Sequence, residues 1–347
     1  MSSMRARVVV FIGLVLGVVA ATLAYLLAGG SDTRGANGAS TNGQGTATPG
    51  ASAAEIKAAL SVPHIVFRST ALGPSYGRVA IVPLAHPDAA PTVTGLACER
   101  VYTSGPAGIC LSADRGVVTT YRTVLLGPDM AVRAVLPVAG LPSRARTSLD
   151  GRFGVTTTFV TGHSYAQSSF STATVVYDMA TQKSVANLED FSFELRGAPY
   201  RAVDINVWGV TFAADGRHFF ATVASAGTTH LARGDLSTRT ITMLATKAEC
   251  PSLSPDGTRV AYKSRTGANS WRLHVLTLAT GEDVALAERR SVDDQAIWVD
   301  DHRIGYALPV PSSARSDVWV TPADGSGTPR ILVPNAWSPA VVSAPAG

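Results

Sequence analysis

Cys250-Pro-Ser-Leu-Ser-Pro-Asp-Gly-Thr-Arg-Val-Ala-Tyr262 is the stretch on which the fold turns. At its centre Ser254-Pro-Asp-Gly257 signals a tight turn: proline presets φ, aspartate bonds back to nearby backbone, and glycine accepts φ > 0. The following Arg259-Val-Ala-Tyr-Lys263 alternates polar and apolar residues as a strand does. Weaker copies read Leu111-Ser-Ala-Asp-Arg, Thr147-Ser-Leu-Asp-Gly, Phe212-Ala-Ala-Asp-Gly, Trp298-Val-Asp-Asp-His and Trp337-Ser-Pro. Their first residues, with Leu253, are spaced by 36, 65, 41, 45 and 39 positions. Four of the gaps lie near the ~40–45 residues of a four-stranded propeller blade, and the longest must hold an insertion.

A second turn signal keeps constant phase with the first. Val176-Tyr-Asp-Met-Ala-Thr-Gln-Lys183, Arg233-Gly-Asp-Leu-Ser-Thr-Arg239, Val275-Leu-Thr-Leu-Ala-Thr-Gly281 and Trp319-Val-Thr-Pro-Ala-Asp-Gly325 each end one strand and begin another. They mark the turn between a blade's third and fourth strands. The ends of the domain suggest how the ring closes. His64-Ile-Val-Phe-Arg68 has no marker before it, and Trp337-Ser-Pro-Ala-Val-Val342 has no blade after it. Both fit if the C-terminal segment is the innermost strand of the first blade, which removes the open edges of the array. The expectation is an all-β, six-bladed β-propeller closed by its C-terminal strand over residues 55–347, with Ala53–Leu60 as a short helical turn at its edge.

The N-terminal region differs in kind. Arg5 and Arg7 precede a stretch from Val8 to Ala28 that is apolar apart from Thr22. At ~1.5 Å per residue it spans roughly 30 Å, one hydrocarbon core. This predicts a cytoplasmic tail at 1–7, one transmembrane helix at 8–28 and an extracytoplasmic remainder. A cleaved signal peptide, giving a secreted protein, is the alternative; its apolar segment is usually shorter, and Leu27-Ala-Gly-Gly30 is a poor cleavage site. Residues 29–54, mostly Gly, Ser, Thr, Ala and Asn, read as a flexible linker with a reach of ~25–30 Å.

Charge excludes one class of partner. Residues 55–347 carry 26 basic against 24 acidic side chains, and no run of like charge exceeds two residues. Nucleic acid requires a clustered basic face, so none is expected. Cys98 and Cys110 flank the turn-like Thr103-Ser-Gly-Pro-Ala-Gly108, and paired strands would bring them within bridging distance in an oxidising compartment. Two reduced thiols in a strand core are the alternative. Cys250 is left unpaired, and no cysteine or histidine spacing resembles a zinc site.

Leu253-Ser-Pro-Asp-Gly-Thr-Arg-Val-Ala-Tyr262 and Pro322-Ala-Asp-Gly-Ser-Gly-Thr-Pro-Arg-Ile-Leu332 resemble the repeats of TolB-type β-propellers. The resemblance is good over 249–333, diffuse over 98–245, and limited to the propeller half of that family. A tethered propeller of this kind is similar to TolB-like extracytoplasmic proteins of high-GC Gram-positive bacteria, and the heavy Ala, Gly, Val and Arg usage agrees with such a genome. The family is a scaffold family whose motif residues are structural, so the resemblance implies no catalytic residue and no cofactor.

Chemical motifs are sparse. Gly73-Pro-Ser-Tyr-Gly77 has the Gly-x-Ser-x-Gly spacing of a nucleophile elbow, which requires a strand-to-helix turn. Strand-like residues on both sides make it a hairpin connection. The pairs Asp293-Asp294 and Asp300-Asp301 lack the regular spacing of a calcium loop. They read as solvated loop acids paired with Arg289, Arg290 or Arg303. The tryptophans Trp208, Trp298 and Trp337 read as packing between blades. The insertion at 161–204, placed in the third blade, is the least generic segment. It holds His163-Ser-Tyr-Ala-Gln-Ser-Ser-Phe170 and Asp190–Arg201. Insertions in propellers gather on one face, where partners often bind. Phe191, Phe193, Arg196, Tyr200 and Arg201 are therefore the partner-binding candidates, being types enriched at hot spots; aromatics tucked back onto the blade are the alternative. The reading is a membrane-tethered scaffold that binds a protein or envelope component without catalysis. The alternative is a lyase- or lactonase-type propeller enzyme with a metal in its central channel.

Overall fold

Backbone hydrogen bonds of the Asp-Gly turns set the blade geometry. A computed structural model describes residues 50–160, 171–244 and 247–343, all within one compact unit, Thr48–Gly347. The segments expected as cytoplasmic tail and transmembrane helix, most of the expected linker, and His163–Phe170 lie outside the described residues. Among those described, no helix is long and apolar enough to cross a membrane.

The chain enters through α1 (Ala53–Leu60), whose first turn is held by a capping box between Ser52 and Glu55. Blade 1 follows as β1 (His64–Ser69), β2 (Arg78–Pro83) and β3 (Thr92–Ala97). Blade 2 is β4 (Arg100–Thr103), β5 (Gly108–Arg115), β6 (Thr119–Leu126) and β7 (Val132–Val138). Blade 3 is β8 (Leu141–Thr147), β9 (Phe153–Val160), β10 (Ser171–Asp178) and β11 (Lys183–Asn187). A 3-10 turn at Leu188–Asp190 leads into β12 (Ser192–Leu195) and β13 (Ala198–Tyr200). Blade 4 is then β14 (Asn206–Phe212), β15 (His218–Ser225), β16 (Thr228–Asp235) and β17 (Thr240–Met243). Blade 5 is β18 (Glu249–Leu253), β19 (Arg259–Gly267), β20 (Ser270–Thr277) and β21 (Asp283–Ala285). Blade 6 is β22 (Ile297–Asp300), β23 (Arg303–Pro309), β24 (Ser316–Pro322) and β25 (Arg330–Val333), and β26 (Ala336–Val342) ends the fold.

β26 pairs antiparallel with β1, so the C-terminal strand is the innermost strand of blade 1 and the ring of six sheets closes. The inner strands touch in circular order, β26, β4, β8, β14, β18, β22 and back to β26. Among the described residues, buried apolar side chains form six clusters, each between neighbouring blades. Ile109, Leu111 and Leu125 of blade 2 meet Ala145 and Tyr177 of blade 3, and Phe220 and Leu231 of blade 4 meet Val260 and Tyr262 of blade 5. A blade alone could not bury such faces; its neighbours cover them. Trp298 and Trp337 lie in such seams: the Trp298 indole donates to Ser252 O at 2.8 Å, and Arg100 stacks on Trp337 at 4.8 Å.

Three expectations need correction, the first being Trp337-Ser-Pro339, which lies inside β26 and is no turn. Leu111-Ser-Ala-Asp-Arg is not a first turn; it lies inside β5, and the turn from β4 is Ser104–Ala107. The stretch lacks the turn glycine, and Asp114 instead bonds Arg122 across the next hairpin at 2.8 Å. Nor does the insertion belong wholly to blade 3. Residues 188–205 connect blades 3 and 4, and β12 adds in parallel to β17, making blade 4 a sheet of six strands in the order β13-β12-β17-β16-β15-β14.

Candidate functional site

Gly73–Gly77 joins antiparallel β1 and β2, so the Gly-x-Ser-x-Gly run is a hairpin loop with no helix after it. Cys98 and Cys110 are bonded, with Cα atoms 5.6 Å apart. Cys98 precedes β4 rather than lying in it, so the bridge ties the blade 1 to blade 2 connection to β5. Cys250 is free and buried.

The central channel is crossed by the connection from blade 5 to blade 6. Arg100 of β4 meets Asp294 at 2.8 Å, and Arg144 and Arg146 of β8 each donate at 2.8 Å, to Asp293 O and Ala296 O. Lys263 of β19 bonds Asp293 Oδ1 at 2.7 Å, and the Gln295 amide reaches Pro251 O at 2.7 Å and Val210 O at 3.3 Å. A short segment bonded to blades 2, 3, 4 and 5 must sit on the axis they surround. Contrary to expectation, Asp293 and Asp294 pair with Lys263 and Arg100 rather than with Arg289, Arg290 or Arg303, and Asp294 is only 3% exposed. Asp300 does pair with Arg303, at 2.7 Å.

Burial pushes the Arg100 guanidinium down to about 10, with Arg144 adding repulsion and Asp294 opposing both. Arg146, stacked 4.3 Å from the Tyr102 ring, is also pushed down by burial. A catalytic metal would need carboxylates, amides or imidazoles gathered on the axis. The axis does carry the Asp293 and Asp294 carboxylates and the Gln295 amide, but each is already engaged: Asp293 by Lys263, Asp294 by Arg100 and Gln295 by Pro251 O and Val210 O. Among the described residues, no group of three His, Cys, Asp or Glu side chains is placed to hold one. On the face of the Asp-Gly turns the channel widens into a funnel of about 340 Å³ with Arg146 in its wall.

The opposite face carries the larger concavity, a cleft of about 640 Å³ between blades 3 and 4. It is built by the segment that interrupts the repeat. Phe193 points inward with Phe191, and both are buried, at 5% and 6% exposure, in the cluster that joins blades 3 and 4. Phe191 meets Phe219 edge-on with ring centres 6.5 Å apart, and Arg239 covers its other side at 5.1 Å. These phenylalanines therefore fix the cleft wall. Tyr200 and Arg201 line the cleft, and the Tyr200 hydroxyl lies 2.9 Å from Ser225 Oγ. Arg196 does not line it. With Gly197 it forms the tip of the β12–β13 hairpin at φ of +55° and +76°, the left-handed pair that a tight hairpin requires.

Residues the sequence did not single out supply the cleft's charge. Glu189 accepts from the Thr172 hydroxyl at 2.7 Å, the Thr174 N–H at 2.9 Å and the Val207 N–H at 3.3 Å, tying β10 to β14. Burial pushes its carboxyl up against these bonds. Asp204 accepts from the Ser225 hydroxyl at 2.6 Å and the Ala226 N–H at 2.7 Å, which hold it low. Asp190 lies exposed at the rim. The one signal was position: all three acids fall in the long gap between markers.

The fold is that of a TolB-like six-bladed β-propeller. Among solved structures the chain is similar to TolB from Acinetobacter baumannii, with 16% identity, a TM-score of 0.54 and coverage of 80% of this chain and 66% of that one. It is similar in fold to a chain of a nidogen/laminin complex, with 11% identity, a TM-score of 0.54 and coverage of 81% and 99%. A putative TolB from Agrobacterium tumefaciens matches with 12% identity, a TM-score of 0.49 and coverage of 78% and 87%. No family model and no curated protein matches the chain.

Proposed function

We propose that this protein is a membrane-tethered, extracytoplasmic propeller that binds a protein or cell-envelope component without catalysis, using the cleft between blades 3 and 4. The observation that carries the reading is that a segment departing from the repeat, between blades 3 and 4, builds a cleft of about 640 Å³. Repeat residues satisfy one another; Glu189–Asn206 adds a wall, a rim and charges that closure of the ring does not need. The apolar run at 8–28 supports the tether, and the Cys98–Cys110 bridge supports an oxidising compartment. The fold neighbours include a chain from a nidogen/laminin complex, in keeping with a propeller that meets other proteins.

A photo-crosslinking residue at Tyr200 or Arg201 of the full chain, in native membranes, tests the reading. The expected result is one discrete adduct, absent when the crosslinker is placed at Glu282 of blade 5. No adduct at the cleft, together with turnover of a substrate by the purified chain, would sink it.

A further inference from the structure

The cleft has a sign. Among the described residues, Glu189, Asp190 and Asp204 line it against one guanidinium, Arg201. The bonds to Glu189 and Asp204 come from hydroxyl, amide and backbone donors, and none of the three carboxylates forms an ion pair with a described residue. Neutral donors hold such a charge in place without cancelling it, and a partly desolvated carboxylate gains most from an added cation. The three acids do not form a group able to hold a metal ion. Tyr200 and the edges of Phe191 and Phe193 add aromatic surface, which attracts an organic cation more than a hydrated metal.

The shape indicates how the cation arrives. β13, the free edge of the six-stranded sheet, is three residues long and contains Pro199. Proline cannot donate to a ladder, and so short an edge resists strand addition. Recognition then falls to side chains entering the cleft, whose volume suits a few residues rather than one ammonium group. We infer that the cleft recognises a lysine or arginine side chain flanked by apolar residues on an extended segment of a protein partner. The inference rests on the reading that this cleft is the binding face.

The test uses the full chain in nanodiscs and fluorescent acetylated peptides of sequence Ala-Leu-X-Leu-Ala, with X lysine, arginine, norleucine or glutamate. Lysine and arginine peptides are expected to bind at least roughly ten-fold more tightly than norleucine, the glutamate peptide more weakly still, and the preference to fade toward ~1 M salt. Asp190→Asn and Asp204→Asn are each expected to weaken lysine-peptide binding by roughly three- to ten-fold, while Asp129→Asn on blade 2 leaves it unchanged. Asp190 is exposed, so its variant keeps the test valid if Asp204→Asn does not fold. Equal affinity for norleucine, or no effect of Asp190→Asn, overturns the inference. If the crosslinked adduct at Tyr200 forms while that equality holds, only the charge assignment falls. If neither appears, the choice of face falls with it.

Discussion

Ser254, Asp256 and Gly257 close on one another before any other blade is involved. The Ser254 hydroxyl donates to Asp256 and accepts from the Arg259 N–H at 2.9 Å, while Asp256 accepts from the Thr258 N–H at 2.9 Å. The same wiring recurs at Ser148, Asp150 and Phe153. These turns were legible because their bonds span a few residues. Gly257 sits at φ +71° with open space where a Cβ would be, so Gly257→Ala meets only the left-handed penalty. A loss of about 1 kcal/mol in urea unfolding is expected; a loss several times larger would mean that packing is involved. Asp215 offers a pH test at the equivalent turn. The His218 side chain and the Arg217 and His218 N–H groups hold its carboxyl down to about 2, from 3.8. A depressed carboxyl stabilises the fold above its unfolded value, so this contribution is complete above pH ~4 and lost as pH falls toward 2. Asp215→Asn should therefore destabilise at neutral pH and flatten the acid limb of the stability profile, read from melting temperature against pH.

Elements were legible where the pattern is local and obscure where pairing is distant. The strand ends at Phe212 and Leu253 and the third-to-fourth turns fall where the repeat put them. Bulges were not readable. The inner strands β8, β14, β18, β22 and β26 each shift register against their neighbour, and Cys250 and Ser338 adopt φ of +51° and +53°. Such a kink lets side chains replace ladder bonds: the Cys250 N–H donates to Thr222 Oγ1 at 2.7 Å, and Ser338 Oγ donates to Val101 O at 3.0 Å. The parallel docking of β12 on β17 was equally hidden, since Phe191 and Phe193 alternate as in any strand and nothing local names the partner. Their burial makes a prediction for the element. Phe193→Ala should cost about 3 kcal/mol and raise hydrogen exchange across β12 and β13 before the other blades. Uniform exchange across all blades would show that the hairpin does not open alone.

For the whole molecule, the ring depends on how its axis is filled. The marked positions offered Leu, Thr, Phe and Trp; Thr147, Phe212 and Leu253 end their inner strands, while Leu111 lies on β5 rather than on an inner strand. Arg100 opens β4, and Arg144 and Arg146 stand beside the marker Thr147 on β8; their separation in sequence kept the cluster invisible until the ring closed. Asp294 is the decisive partner. Its side chain is 3% exposed and that of Arg100 14%, and each draws on the other to offset the cost of leaving water. Removing one charge strands its partner: Asp294→Ala should destabilise by about 3–5 kcal/mol, whereas Asp300→Ala, in a pair exposed by 41% on each side, should cost under about 1 kcal/mol. The double variant Arg100→Met with Asp294→Leu separates pairing from packing. If the pair serves mainly to neutralise itself, the double variant recovers most of the stability lost in Asp294→Ala, because two apolar side chains need no compensation. If Arg100 is held chiefly for its 4.8 Å stack on Trp337, the double variant stays as unstable as the single one. Urea unfolding of the three proteins decides between them, and recovery is the expected outcome, since the channel floor keeps Arg144 and Arg146 bonded to the same segment.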